Sequence, residues 1–195
     1  MQLQQVDYQL VRYLETKLTA LYEKIQSTTG EEWIDQLFPA IEPEIRDLWI
    51  ATLKEKPLPV IQGFPQSNEP ELPLLALNFK NEQEMMNGYV GDNGMAASEV
   101  NGVLLTTQMQ IECWATQGQI AAFMYHLVKW MILSDQEKLR EMGLVYRKMS
   151  GQDLPFLDPR LYGNHYRRAL IVEFLSEVQW ENPYNPITTI IDTSA

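Results

Sequence analysis

The chain has 195 residues, 45% of them hydrophobic and 21% charged, a composition that supplies one packed core but leaves no room for two full domains. Fifteen Lys and Arg against 26 Asp and Glu give a net charge of −11, a field that repels phosphate backbones and anionic lipid and so excludes free nucleic acid and a membrane surface as partners. The one cysteine, Cys113, can build neither an internal disulfide nor a cysteine-rich zinc site, as expected of a protein assembled in the cytosol. The opening MQLQQVDYQLVRYL lacks a basic leader followed by an apolar run, and no stretch reaches the ~18 unbroken apolar residues of a membrane span.

Leu3, Val6, Leu10, Leu14, Leu18, Leu21 and Ile25 recur three or four apart and predict an amphipathic helix over 3 to 26, stopped by the turn-forming residues 27 to 30. Residues 31 to 56 keep helical spacing but carry Pro39 and Pro43, which remove backbone donors and predict two short helices with a break. Five of the eleven prolines fall between 57 and 73, and proline cannot donate to a central ladder, so this segment reads as an extended surface connection. A short strand follows over 74 to 79. Residues 80 to 99 are polar, with Gly88, Gly91, Gly94 and the turn sequence Asp92-Asn93-Gly94, and read as a projecting loop or hairpin.

Residues 103 to 115 alternate, with Val103, Leu105, Met109, Ile111 and Cys113 on one side and Thr106, Gln108, Gln110 and Glu112 on the other, the period of a half-buried strand. Residues 118 to 133 switch to helical spacing and predict a helix packed across the sheet through Ile120, Phe123, Met124, Leu127, Val128, Met131 and Ile132. Two further strands are expected over 144 to 149 and 165 to 180, the second with Leu170, Val172, Phe174 and Val178 facing in and Arg167, Glu173, Glu177 and Gln179 facing out. The fold expected is α/β (α+β): a small, mostly antiparallel sheet packed by two helices. One domain spans 1 to 180, with a helical and Pro-rich insertion at 27 to 73, and an extended arm follows from 181. In that arm Ile187, Ile190 and Ile191 flank two threonines, a β-branched run expected to add to a sheet edge, on an adjacent subunit in preference to its own fold.

Motifs of chemistry are sparse. Cys113 and His126 lie on a strand and the next helix, but Cys113 falls on the apolar side and no glycine-rich elbow precedes it, so a buried structural cysteine is the better reading. His165 stands 39 positions from His126, a spacing that matches no zinc site. Gly88, Gly91 and Gly94 miss the spacing of a phosphate-binding loop. The carboxylate pairs Glu31 and Glu32, Glu42 and Glu44, and Glu82 and Glu84 fall in charged stretches that read as solvated faces. Arg147-Lys148 and Arg167-Arg168 lie on neighbouring strand candidates and could form a small positive patch beside an acidic body, suited to protein contact. The residues singled out for an interface are therefore Asp92, Asn93, Gly94, Arg147, Lys148, Arg167, Arg168, Ile187, Ile190 and Ile191, with no catalytic, cofactor or metal-binding residue among them.

The strand LPLLALNF, the strand VLLTTQMQIECWA running into the helix QIAAFMYHLVKWMIL, and the late strand HYRRALIVEFLSEVQW resemble in their order the tail-terminator (tail-completion) proteins of tailed bacteriophages, over roughly residues 3 to 180. The resemblance implies a structural virion protein: a small α/β sandwich that closes into a hexameric ring, caps the tail tube and meets the neck or stopper protein, with the tail sheath as a further partner and no cofactor. It also implies assembly in the host cytoplasm and a final place in the tail or neck of the virion. Residues 27 to 73 and 181 to 195 depart from the family pattern and read as contacts of this chain's own. Another neck or baseplate component, or an enzyme using a carboxylate pair, are the alternatives.

Overall fold

The computed structural model describes residues 6–65, 70–90, 100–155 and 165–181. It is a mixed α+β fold in which a five-stranded sheet carries helices on one face. Helix α1 (Val6–Ile25) forms where the apolar periodicity predicts it and buries Val6, Leu10, Tyr13, Leu14, Leu18, Leu21 and Ile25. Helix α2 (Thr28–Leu37) is capped by Ser27, whose hydroxyl accepts from the Gly30 N–H at 3.3 Å. The break expected at the prolines is present, and α3 (Pro43–Glu55) takes Pro43 in its first turn, where a missing N–H costs nothing. Arg46 of α3 grips Asp35 of α2 through both its Nε and Nη2, and Lys54 pairs with Glu31. Helices α4 (Gly118–Ser134) and α5 (Gln136–Glu141) complete the layer.

The strands are β1 (Val60–Gln62), β2 (Leu74–Val90), β3 (Val100–Ala115), β4 (Val145–Asp153) and β5 (Tyr166–Glu181), in spatial order β1-β2-β3-β5-β4. Only β1 runs parallel to its neighbour; every other pairing is antiparallel. Strand β1 sits between Pro59 and Pro65 at the sheet's edge, a place proline tolerates, which is why a proline-rich connection still contributes a strand.

One core joins the two layers. Met109, Ile111, Cys113, Leu170, Val172 and Phe174 of the sheet are fully buried against Phe123, Leu127 and Ile132 of α4 and against α1, so the apolar faces expected from the two periodicities are the ones that meet. Trp49 of α3 stacks on Phe123 with ring centroids 4.1 Å apart, and Trp33 of α2 meets Trp130 of α4 edge to face at 5.1 Å. The segment expected as an insertion at 27 to 73 thus supplies Ile34, Trp49, Leu53 and Leu58 to the same core.

Three departures from the sequence reading concern the sheet. The stretch from 80 onward, read as a loop or hairpin, is strand as far as Val90, paired with β3 to Glu84↔Leu105 and, after an irregularity, again at Tyr89↔Val103 and Val90↔Gly102. Its residues 80 to 84 are exposed on both faces, so no apolar alternation marks them as strand. Strand β4 continues to Asp153 through polar residues for the same reason. Third, the side of β3 and β5 expected to face solvent is buried at its centre: Gln110, Glu112, Arg167 and Glu173 are each 9% exposed or less. Asp92, Asn93, Gly94, Ile187, Ile190 and Ile191 lie outside the described residues, as does the C-terminal arm after Glu181.

Candidate functional site

Successive residues of a strand point to opposite faces, and this separates the pair Arg167-Arg168. Arg167 stands on the helix-free face opposite Trp114, and Arg168 on the helix face opposite Cys113. Arg167 donates from Nη2 and Nε to Glu112 Oε2 at 2.6 and 3.2 Å. The same carboxylate accepts from Trp114 Nε1 at 3.0 Å, Gln110 Nε2 at 2.5 Å and Asn78 Nδ2 at 3.0 Å. The guanidinium lies 4.5 Å from the Trp114 ring centre and 5.8 Å from that of Phe64. With the side chains 6% and 0% exposed, neither charge reaches bulk water, and five donors replace the hydration that Glu112 lost.

Arg168 is held by Asp153 of β4, with Nε to Oδ1 at 2.6 Å and Nη2 to Oδ2 at 3.2 Å, and its guanidinium lies 5.4 Å from the Tyr125 ring. The hydrogen bond holds the Asp153 carboxyl below the usual carboxylate range. Beside this pair a cleft of about 300 Å³ opens between the start of α4 and β5, lined by Gly118, Ala121, Leu154 and Tyr166. Lys148 is 2.9 Å from Glu173, which also accepts from Gln108 Nε2 at 3.0 Å. Lys148 and then Gln108 lower the Glu173 carboxyl. Arg147 has no carboxylate partner among the described residues, and its Nη1 lies 3.7 Å from Met85 Sδ of β2.

The positive patch expected from the two basic pairs does not form. Strands β4 and β5 are indeed neighbours, but Lys148 sits opposite Glu173 and Arg168 opposite Asp153, five residues or roughly 17 Å apart along β5. Three of the four bases are neutralised by a carboxylate, and Arg167 is buried. Sequence reading missed Glu112 altogether. On a half-buried strand its polar alternation is indistinguishable from a solvated face, and only the pairing of β3 with β5 brings it to Arg167.

The residues weighed for chemistry lie apart. Cys113 is fully buried, and desolvation first, then the Glu112 charge, pushes its thiol up, which disfavours the thiolate a nucleophile needs. His126 is exposed on α4, its imidazole lowered by desolvation and by Arg168 and Lys129. Glu32, Glu42, Glu44, Glu82 and Glu84 are exposed, and Glu31 is tied to Lys54. Among the described residues no group of three or more His, Cys, Asp or Glu is placed to hold a metal ion, and no helix is long and apolar enough to cross a membrane.

What remains distinctive is the extension of the sheet. Beyond the helix layer, β2, β3 and β5 continue side by side to Val90, Val100 and Glu181, with β3 paired on both sides. Strand β2 bulges between Phe79 and Asn81 and between Glu84 and Tyr89, so the stretch of β3 opposite Phe79 to Val90 runs from Met109 to Gly102, seven steps or roughly 24 Å at the rise of a strand. Over its described side chains β2 carries Glu82 and Glu84 against Lys80 there. No protein-family model matches the chain, and no curated protein matches it.

Proposed function

We propose that this chain is a structural subunit of a bacteriophage tail, a terminator that forms a ring at the head-proximal end of the tail tube and joins the tube to the neck. The observation that supports this reading is the three-stranded ribbon. Strand β2 is exposed on both faces over 80 to 84, while Thr107, Phe174 and Ser176 beside it on β3 and β5 are buried, and an exposed edge strand of this kind suits contact with a second copy or a neighbouring ring. The acidic field of the chain favours docking onto basic surfaces of other ring proteins and disfavours the genome passing nearby. In this role the protein works by fit, with no bond made or broken. Its assembly takes place in the host cytoplasm and its final position is the virion.

Light scattering on the purified full-length protein, alone and mixed with tail tubes, tests the reading. A ring of six copies of the 22.6 kDa chain, about 136 kDa, that binds tube ends is the expected result. A ring that binds neck or baseplate proteins but ignores tubes moves the chain to another position in the same particle. A monomer at all concentrations that binds none of them overturns the proposal.

A further inference from the structure

Strand β5 has neighbours of unequal length. Along one side β3 accompanies it from Ala115↔Tyr166 to Val100↔Glu181, whereas on the other side the pairing with β4 ends at Val145↔Leu175. From Ser176 to Glu181 that second edge carries no partner among the described residues, a notch of six residues or roughly 20 Å at the rise of a strand. In an antiparallel ladder every second residue turns its N–H and C=O to a given side, so about three donors and three acceptors face out along the notch. No proline lies within it to blunt the edge, and an open edge of this kind recruits a strand.

We propose that the notch is the docking site of the chain's own C-terminal run, Ile187-Thr188-Thr189-Ile190-Ile191, which turns back after Glu181 and pairs antiparallel with β5, in line with β4. The run itself lies outside the described residues, and its sequence and length are what assign it to this edge. Five residues, Asn182 to Pro186, separate Glu181 from Ile187, a connection of the length that hairpins use, and four of the five are asparagine or proline, which favour turns. The run that follows is β-branched throughout, the composition that strands favour. Its five residues match the six of the notch, beyond which Val145 of β4 already occupies the edge.

Reach selects this edge over the others. The notch lies one strand spacing from β5, roughly 5 Å, whereas the free edge of β2 at Val90 lies across β3 and β2, three spacings or roughly 14 Å to the other side. The outer edge of β4 is two spacings to the side and six residues back along β5, about 22 Å from Glu181. That is the whole span of a fully extended connection from Glu181 to Ile187, ~20 to 22 Å, and leaves nothing for the turn. An edge on another copy offers the same backbone groups, but pairing within the chain closes a short loop and gives up no translational freedom, so the notch at home fills first.

Amide hydrogen exchange, followed residue by residue, tests this. In the full-length protein the outward amides of Ser176 to Glu181 should be protected. They should exchange at least about tenfold faster when the chain is cut after Asn182, and faster also in the full-length Thr189→Pro variant, whose run loses a donor, while the amides bonded to β3 stay protected in both. The amides bonded to β3 thus report that each variant is folded. Outward amides that exchange at the same rate in all three proteins overturn the proposal. Mixing the isotope-labelled truncated chain with unlabelled full-length protein identifies the source of the strand. Protection that returns to the truncated chain in proportion to the full-length protein added means that the run belongs to another copy, and overturns pairing within the chain. The proposal does not depend on the ring reading, which light scattering tests separately.

Discussion

Strand β3 is two different environments joined end to end. From Met109 to Ala115 every residue is buried, on the helix face by α1 and α4 and on the other face around the Glu112 hub, whereas residues 104 to 106 are only half-buried and the paired β2 residues 80 to 84 are exposed. The backbone ladder to β5 runs unbroken through both halves, and β2 stays paired in both, with two bulges in the exposed half. What differs is the cover, and the comparison teaches that hydrogen bonding makes the strand while packing decides how much stability each residue carries.

The buried half should therefore hold the large effects. Replacing Glu112 by Ala strands Arg167 without a partner and is expected to cost ~3 to 5 kcal/mol in chemical denaturation. The double variant Glu112→Leu with Arg167→Met should recover much of that loss, and a double variant as unstable as the single one would show that the donors around the carboxylate, not the charge pair, dominate. Leu127→Ala, at the centre of α4's buried face, is expected to cost ~2 to 5 kcal/mol, and an unchanged melting temperature would mean that this face carries little of the fold.

In the exposed half the effects on folding should be small. Deleting residues 84 to 96 is expected to move the melting temperature by less than ~4 °C, about 1 kcal/mol for a chain of this size, while abolishing ring formation or tube binding. Normal assembly of the deletion would remove the ribbon from the interface. Lys148→Ala lies at the boundary and should cost less than ~1 kcal/mol, since Lys148 is mostly exposed. Its signature is in the pH dependence. Glu173 has a folded pKa below its unfolded value, so its contribution is present above the usual Glu range near ~4.3 and is lost as pH falls through the folded value. Removing Lys148 should flatten that acid limb, and a denaturation series below pH ~5 that is unchanged by the substitution would assign the lowering to Gln108.

Legibility in the sequence followed the same division. Where one face is apolar and the other is not, as in α1, α4 and the inner face of β3, period and boundaries were readable to within a few residues, and Ile111, Cys113, Phe123, Leu127, Val172 and Phe174 are all fully buried. Where a strand is exposed on both faces, as over 80 to 84 of β2, periodicity carries no signal, because pairing is made by backbone groups common to all residues. Helix α5 was missed because one buried residue, Leu139, has no period. The basic pairs were read as a patch because side-chain direction and strand register together, not adjacency in sequence, decide which charges meet.

By itself the amino-acid sequence determined an acidic chain with one core, the helices that cover the sheet and the apolar face they cover, since these follow from composition and from periods of 3.6 and 2 that are local. The tertiary structure alone decided that Glu112 and Arg167 are one buried pair and that β2 stands exposed over 80 to 84 beside buried residues of β3 and β5. Each depends on the register between strands distant in the chain, and register is a sum of many weak pairings that no short window of residues contains.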